Sequence, residues 1–497
     1  MMSKRITLLN MISGIILQAF TILSGFILPK IILLFFGSDV NGLVSSLNQF
    51  LSYITLIEGG ITGVIIANLY KPLVDNDSDR LSSIVVTSNI FFKKIGLIFI
   101  VYSISLALLH PFIFRANFDY FYVFTLTLIL SLTLLVQYMF SLTLRCVLDA
   151  DKKSYIVNFT QTIITFLNIL LALVSVYIYP SIHILKLISG LLFVIQPIVY
   201  RKFIRDHYSI DWNAKTNNDL IKERWNGFAV NLAAFIHNSA DVTILTIFTN
   251  LKIVSIYSIY CLVANGIKQL INASVSGISH TVGRSYAEKD YKEVNRKLNL
   301  YEYVVFVLVF FISTIACLLI VPFVQLYTKG VTDANYYQPI FGVLLIISEA
   351  LYLIKIPHLS LAYSSNSFKE ITIPAFIEAF LNIIISILLV KFWGLIGVAF
   401  GTIAGMLYRM FFQVRFTKKL LPGRGQKIFY KKFLLFSITS ILGVIICKKY
   451  VQFGEISFSS LLINGIIYSL IIGGMYLCLS IICFNDEIKF FVKYLKR

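Results

Sequence analysis

The chain has 497 residues, of which 58% are hydrophobic and only 13% are charged, and its mean hydropathy is +0.83. This composition excludes an ordinary soluble domain, in which about a quarter of the residues are charged. The net charge of +19 does not indicate a nucleic-acid partner, because the basic residues are spread over short connections where they can face anionic lipid headgroups.

Long apolar segments follow one another along the whole chain. A segment that crosses a hydrocarbon core of ~30 Å needs about 20 residues and must be helical, because lipid cannot satisfy an open backbone. The sequence therefore predicts an all-α polytopic membrane protein with about fourteen transmembrane helices. The predicted spans are Leu8–Phe36, Leu43–Tyr70, Ile95–Phe114, Phe121–Thr143, Tyr155–Tyr179, Ile184–Tyr200, Gly227–Thr249, Ile253–Val282, Tyr303–Tyr327, Ile340–Tyr363, Ile371–Val390, Leu395–Val414, Phe433–Cys447 and Leu461–Phe484.

Basic residues alternate between the connections of these spans. Of the 43 lysines and arginines, 32 fall in the N-terminus, the even-numbered connections and the C-terminus, six fall in the odd connections, and five lie within spans. By the positive-inside rule both termini are predicted to be cytoplasmic, which requires an even number of spans. The N-terminus carries no small-residue cleavage site after its long apolar stretch, so we interpret it as an uncleaved first span.

The chain is predicted to contain a repeat of six spans. The segment that starts at Ile32 aligns with the segment that starts at Ile244, at an offset of 212 residues. Repeats with an even number of spans have the same orientation in the membrane. The predicted domains are an N-terminal six-helix lobe at 1–205, a cytoplasmic connection at 206–225, a C-terminal six-helix lobe at 226–417, a basic linker at 418–432, and two additional helices with a cytoplasmic tail at 433–497.

Polar residues form stripes on corresponding helices of the two halves. In span two, Asn48 belongs to a stripe of hydroxyl and amide residues at helical spacing, and Glu58 adjoins it. In span eight, Asn265, Lys268 and Asn272 share one face. Such stripes predict a central, water-filled cleft between two lobes, since polar groups within a membrane usually face a bundle interior or an aqueous cavity.

Further ionisable residues lie in other spans. Asp241 follows His237 by one helical turn, and Glu378 shares a face with Asn382. Glu349 and Lys355 are six residues apart, so they cannot pair directly along one helix. The remaining candidates are Lys30 and Arg409, the latter beyond two glycines, Gly401 and Gly405, that could permit close helix contact. The alternative interpretation is structural: the basic side chains could snorkel to headgroups, and the carboxylates could be hydrogen-bonding partners.

Nothing in the sequence indicates catalysis. It has no phosphate-binding glycine loop, no HExxH and no nucleophile elbow, and its six cysteines form no CxxC pair or metal-type cluster. We therefore predict a protein that is not an enzyme and has no cofactor or resident metal. Transport would draw on an ion gradient, with H⁺ or Na⁺ as the coupling ion. Burial favours the neutral form of a carboxyl group, which makes Asp241, Glu58, Glu349 and Glu378 the candidates for coupling.

The N-terminal region resembles that of bacterial polysaccharide-biosynthesis flippases, which carry undecaprenyl-pyrophosphate-linked oligosaccharides and belong to the multidrug/oligosaccharidyl-lipid/polysaccharide exporter superfamily. The resemblance lies in Pro29 late in the first helix, the Gly37–Gly42 turn, Glu58-Gly59-Gly60 in the second helix, and Asp241 in the seventh. It covers roughly Met1–Lys419.

This resemblance implies two six-helix lobes in a V shape, alternating access, and a cationic lumen for a pyrophosphate lipid in the bacterial cytoplasmic membrane. Cationic side chains suit this cargo, because a diphosphate can cross apolar surroundings only with compensating positive charge. The expected partners are the lipid-linked oligosaccharide, membrane lipids, and a polysaccharide polymerase with its chain-length machinery. The candidate substrate-binding residues are Lys30, Lys268, Arg409, Asn265, Asn272 and Asn48.

Three other functions stay open at this point. A multidrug and toxin extrusion antiporter of the same superfamily would export small cations and should have an acidic lumen, whereas these stripes mix acid and base. A lipid II flippase also suits fourteen spans, but the expected cluster of cavity arginines is not evident. A non-transporting scaffold in a glycan assembly complex would not need polar stripes on matched helices.

Overall fold

The computed structural model describes residues 2–58, 60–114, 118–217, 228–451 and 454–495. Within these ranges the chain is 88% helical and contains no strand, which confirms the predicted all-α fold. Gly59, Arg115 and residues 218–225 of the predicted inter-lobe connection lie outside the described residues.

The chain forms two compact units, Met1–Phe235 and Ile236–Arg497. The helices of the first unit are α1 Met2–Ser52, α2 Thr55–Glu58, α3 Ile61–Asp75, α4 Ser78–Phe114, α5 Tyr120–Val136 with a π-helical turn at Gln137–Ser141, α6 Leu142–Ala150, α7 Ser154–Ile178, α8 Ile182–Leu192 and α9 Ile195–His207. Helix α10, Phe228–Phe248, spans the boundary between the units. The second unit continues with α11 Leu251–Ala287, α12 Tyr291–Tyr327, α13 Pro339–Ile354, α14 Ile356–Ser364, α15 Phe368–Trp393, α16 Leu395–Leu420, α17 Lys427–Tyr450, α18 Phe458–Cys483 and α19 Asn485–Leu495.

Twelve helices in the described ranges are long and apolar enough to cross a membrane. The chain is therefore a multi-pass membrane protein, but the predicted number of fourteen spans is not confirmed. The difference arises at two places. The segment Arg5–Glu58 counts as one helix although it covers the first predicted span and the first part of the second, and the apolar part of α10, Leu232–Phe248, is shorter than the other spans.

Both units interrupt their first long apolar stretch at the same place. Gly37 has φ 83° and ψ 178°, a conformation that glycine adopts without strain, and it divides α1. At the offset of 212 residues its counterpart is Thr249, where α10 has ended. The next residue, Asn250, caps α11 by accepting a hydrogen bond from the backbone N–H of Ile253 at 3.0 Å. The two interruptions fall at corresponding positions of the alignment, and the repeat itself stays a prediction.

The two C-terminal helices belong to the core of the second unit. Phe436 of α17 packs against Phe306 of α12 with ring centroids 5.7 Å apart, and it stacks on Tyr476 of α18 at 5.5 Å. These side chains join one continuous cluster of buried apolar residues that also includes α13 and α16. The sequence predicted two helices added to a twelve-helix core. In the structure these two helices belong to the second unit and contribute to its hydrophobic core.

A buried ionic cluster fastens the linker between α16 and α17 to this core. The carboxylate of Glu302 on α12 is fully buried and contacts Arg424 Nη2 at 2.5 Å and Lys432 Nζ at 3.3 Å. His358 Nε2 lies 3.1 Å from the same carboxylate, and its Nδ1 lies 2.9 Å from Thr417 Oγ1. We call Glu302, Arg424, Lys432 and His358 the Glu302 clasp. It joins α12, α14, the linker and α17.

We expect Glu302→Ala to destabilise the protein by about 3–5 kcal/mol, because it removes the nearest counter-ion of two buried cations, of which Lys432 keeps Glu487 at 4.0 Å. The measurement is the free energy of unfolding in detergent by SDS titration. Glu288→Ala is the matched control, since Glu288 pairs with Arg284 on an exposed surface and should change stability by less than about 1 kcal/mol. Equal effects of the two substitutions would contradict a structural role for the clasp.

Candidate functional site

A stripe of glycines brings α16 into close contact with α15. A Cβ atom at Gly397 would lie 2.5 Å from the carbonyl oxygen of Leu389, and one at Gly405 would lie 2.7 Å from the carbonyl oxygen of Glu378. A Cβ at Gly401, between them, would lie 2.7 Å from the carbonyl oxygen of Asn382. Side chains cannot be accommodated at this spacing, so the close approach depends on glycine. It confirms the predicted contact and places polar residues of the two helices side by side.

Asp241 of α10 lies in a pocket of neutral donors. Tyr257 Oη donates to Asp241 Oδ2 at 3.0 Å, and Thr402 Oγ1 donates to the same oxygen at 2.9 Å. Asn382 Nδ2 donates to Asp241 Oδ1 at 3.3 Å and lies 3.5 Å from His237 Nδ1. Four helices, α10, α11, α15 and α16, thus meet at one buried carboxylate.

This arrangement suits a group that binds and releases a small cation. Hydrogen bonds from hydroxyl and amide groups stabilise the carboxylate form without neutralising its charge. Carboxylate, amide and hydroxyl oxygens are the ligands that hard cations prefer, and a proton could take the same place. Among the described residues, no group of three or more His, Cys, Asp or Glu side chains is arranged to hold a metal ion.

Glu378 lies one helical turn before Asn382 and is held by two cations. Lys355 Nζ donates to Glu378 Oε1 at 2.6 Å, and Arg409 Nε lies 3.5 Å from Oε2. All three side chains are less than a tenth exposed. Arg409 also donates to the carbonyl oxygen of Ile371 at 2.8 Å. Arg409 is therefore buried against Glu378 in this structure, together with Lys355.

Lys268 is more accessible to solvent than Lys355 and Arg409. Its Nζ lies 3.6 Å from Glu349 Oε2, and the two side chains are 20% and 19% exposed. The same ammonium lies 3.9 Å from the centroid of the Tyr352 ring, at a distance typical of a cation–π contact. Lys355 Nζ approaches that ring at 4.9 Å, so Tyr352 connects the two ion pairs.

Together these residues form what we call the polar cluster: Lys268, Glu349, Tyr352, Lys355, Glu378 and Arg409. It contains three cations and two carboxylates, and its excess positive charge lies within apolar helices. The partly exposed ammonium of Lys268 can attract an anion more strongly in these surroundings than it could in bulk water, because the effective dielectric constant is lower.

The predicted residues Glu58, Lys30 and Asn48 belong to the first compact unit of the chain, whereas this cluster belongs to the second. Glu58 ends the short helix α2 and accepts hydrogen bonds from Thr62, through a short contact, and from Tyr138 at 3.2 Å. Gly60 follows with φ 80°, so span two is broken where a continuous helix was predicted. Lys30 is half-buried on α1, and Asn48 is exposed on the same helix beyond Gly37.

Sequence analysis found many members of the site but not their partners. The structure brings together Lys268 with Glu349, and Glu378 with Arg409, while Asn265 is exposed and Asn272 half-buried on α11 with Lys268. The substrate-binding and ion-coupling roles of all ten candidates stay predictions. Sequence analysis missed Tyr257 and Thr402, the partners of Asp241, because a single hydroxyl in an apolar helix carries no distinctive signal. The V arrangement and the central cleft also stay predictions.

No protein-family model matches the chain, and no curated protein matches its sequence. Solved structures do resemble it. The lipid II flippase MurJ in an inward closed conformation superposes with a TM-score of 0.74 at 15% identity, over 95% of this chain and 100% of that one. An inward-facing multidrug resistance MATE family transporter of the MOP superfamily gives 0.57 at 13% identity, over 82% and 96%. The Vibrio cholerae MATE transporter VcmN gives 0.56 at 13% identity, over 86% and 99%.

At these identities the likeness concerns the fold. The chain has the helical fold of the flippase and the transporters that it resembles, which is the fold that the N-terminal resemblance predicted. The proteins that it resembles are described as a flippase and as transporters; that this chain transports a substrate and is not an enzyme stays a prediction.

Proposed function

We propose that the chain is a flippase that moves an undecaprenyl-pyrophosphate-linked oligosaccharide from the cytoplasmic to the outer leaflet, for capsule, O-antigen or exopolysaccharide synthesis. The observation that carries this proposal is the polar cluster, in which three cations outnumber two carboxylates. An excess of buried positive charge suits an anionic diphosphate. An exporter of small cations would instead need an excess of negative charge.

The extent of the structural likeness also favours a lipid-linked cargo. MurJ covers 95% of the chain, whereas the two MATE transporters cover 82% and 86%. A protein described as a lipid II flippase is therefore the better structural match, and lipid II is the second candidate substrate. We rank it below other polyprenyl-linked glycans, since the polar cluster contains one arginine and that arginine is buried against Glu378.

The test uses the purified full-length chain in proteoliposomes. One set of proteoliposomes contains a fluorescent oligosaccharide linked to undecaprenyl diphosphate. A second set contains fluorescent lipid II, and a third set encloses a cationic dye. We expect flipping of the first lipid at a rate well above protein-free vesicles, slower flipping of lipid II, and no dye transport. Dye transport without lipid flipping would favour a multidrug antiporter, and fast flipping of lipid II alone would favour the second candidate.

We further propose that both termini and the Arg201–Asn226 connection are cytoplasmic, on the distribution of basic residues. Ser209 and Thr332 are both exposed and lie in connections of opposite predicted side. In intact cells, a membrane-impermeant maleimide should label a cysteine at Thr332 and miss one at Ser209, and permeabilisation should make both reactive. Labelling of Ser209 in intact cells would reverse the proposed orientation.

A further inference from the structure

Tyr352 lies between the two lysines of the polar cluster. On α13, Tyr352 is three residues from Glu349 and three residues from the capping residue Lys355, so it is a neighbour of each on the helix surface. The Tyr352 ring centroid is 3.9 Å from Lys268 Nζ and 4.9 Å from Lys355 Nζ. One aromatic ring therefore contacts a cation of α11 and a cation at the end of its own helix.

The two lysines are held in different ways. Lys355 is buried and donates a short hydrogen bond of 2.6 Å to Glu378. Lys268 is a fifth exposed, and its distance of 3.6 Å from Glu349 exceeds that of a hydrogen bond. The Lys268 ammonium thus has two contacts of similar length, the Glu349 carboxylate at 3.6 Å and the Tyr352 ring at 3.9 Å from its centroid. A partly exposed ion pair of this length is easily exchanged for another anion.

We infer that Tyr352 is a positioning residue that fixes the Lys268 ammonium for a lipid diphosphate, and that Glu349 is the resting counter-ion which the diphosphate replaces. This inference rests on the proposed function. A lysine side chain has four flexible bonds and loses rotamer entropy when it is fixed by a ligand. A ring that orders the ammonium beforehand reduces this cost of binding.

The inference assigns opposite effects to two neighbours on α13. Removal of the ring should weaken binding of the diphosphate, because the Lys268 ammonium is no longer ordered. Removal of the Glu349 charge should strengthen binding, because the diphosphate no longer competes with a carboxylate for the same cation. Ion coupling through Glu349 would instead predict no gain in affinity from its neutralisation.

The experiment measures the Kd of undecaprenyl diphosphate for the full-length chain in nanodiscs. We expect Tyr352→Leu to raise the Kd by about 2- to 30-fold, the range of a cation–π contact. Tyr352→Phe retains an aromatic face and should stay within about twofold of the wild type. Glu349→Gln should lower the Kd. In a Lys268→Ala background, Tyr352→Leu should have no further effect.

Each result decides between the inference and an alternative. An equal loss with Tyr352→Leu in the Lys268→Ala background would show that the ring acts on packing alone and would overturn the positioning role. Equal weakening by Tyr352→Phe would assign the effect to the hydroxyl and overturn it as well. A Kd unchanged or raised by Glu349→Gln would reject the counter-ion role. A wild-type chain that does not bind undecaprenyl diphosphate would instead contradict the proposed function, whatever the variants do.

Discussion

Lys268→Ala is expected to abolish glycan export while the protein still inserts and folds. Lys268 is the partly exposed cation of the polar cluster, and a charge-assisted contact with a diphosphate contributes about 1.5–3 kcal/mol, or roughly 10- to 160-fold in affinity. Lys268→Arg should preserve part of the activity, because the charge remains although its geometry changes. The measurement is the rate of lipid-linked oligosaccharide flipping in proteoliposomes, with export in cells at native expression.

Two controls accompany this variant. Lys369→Ala removes an exposed lysine near the start of α15 and should leave flipping unchanged. The double variant Lys268→Ala with Glu349→Gln removes both charges of the ion pair, so it separates loss of the cation from the cost of leaving Glu349 alone. If the double variant recovers flipping, or if Lys268→Ala alone exports normally, Lys268 does not contact the cargo.

Asp241→Asn is expected to remove the dependence of flipping on an ion gradient while substrate binding persists. The asparagine has nearly the same size but no charge, and it offers an amide N–H₂ to neighbours that already donate. A cation or proton can then no longer change the charge at the point where four helices meet, so it cannot bias one conformation over another. The Kd for the lipid should stay within about threefold of the wild-type value. A ligand that binds both conformations with equal affinity keeps the same Kd when their populations change.

The measurement compares flipping with and without an imposed proton gradient, and separately with and without a sodium gradient. The wild type should respond to one of them, which identifies the coupling ion, and Asp241→Asn should respond to neither. Glu58→Gln, in the first unit, is the parallel variant, and Glu370→Gln is a control on the exposed first turn of α15. If Asp241→Asn and Glu58→Gln, alone and combined, retain gradient-driven flipping, coupling lies elsewhere, with Glu349 and Glu378 as the next candidates.

The two proposals separate the ion site from the cargo site within one unit. Asp241 lies among neutral donors, whereas Lys268 lies in a cluster of charges. Glu378 and Asn382, one helical turn apart on α15, connect them: Glu378 binds the cations of the polar cluster, and Asn382 donates to Asp241. Asn382, which contacts Asp241, is thus one helical turn from Glu378, the carboxylate that holds Lys355 and Arg409.

Helical periodicity predicted the faces of the site correctly where the evidence was local. Asn265, Lys268 and Asn272 lie on one continuous helix, as their spacing of three and four residues requires. The separation of Glu349 from Lys355 was also predicted, because six residues do not return to the same face. The positions where a helix is interrupted were harder to predict. Span ten ends and restarts at Lys355, before Pro357, and span two is interrupted beside Gly60, since hydropathy does not register where a backbone turns.

The sequence by itself determined the class of protein, the order of its apolar helices and the faces on which polar groups lie. These properties follow from composition and from a period of 3.6 residues, which act over a few turns of helix. Only the tertiary structure decided which charges pair. Thr402 reaches Asp241 across 161 residues, and Lys355 pairs with Glu378 across 23. Such partners depend on how helices pack. The glycine stripe of α16 indicates from its spacing that a close helix contact forms, but not which helix packs there or which side chains it brings together.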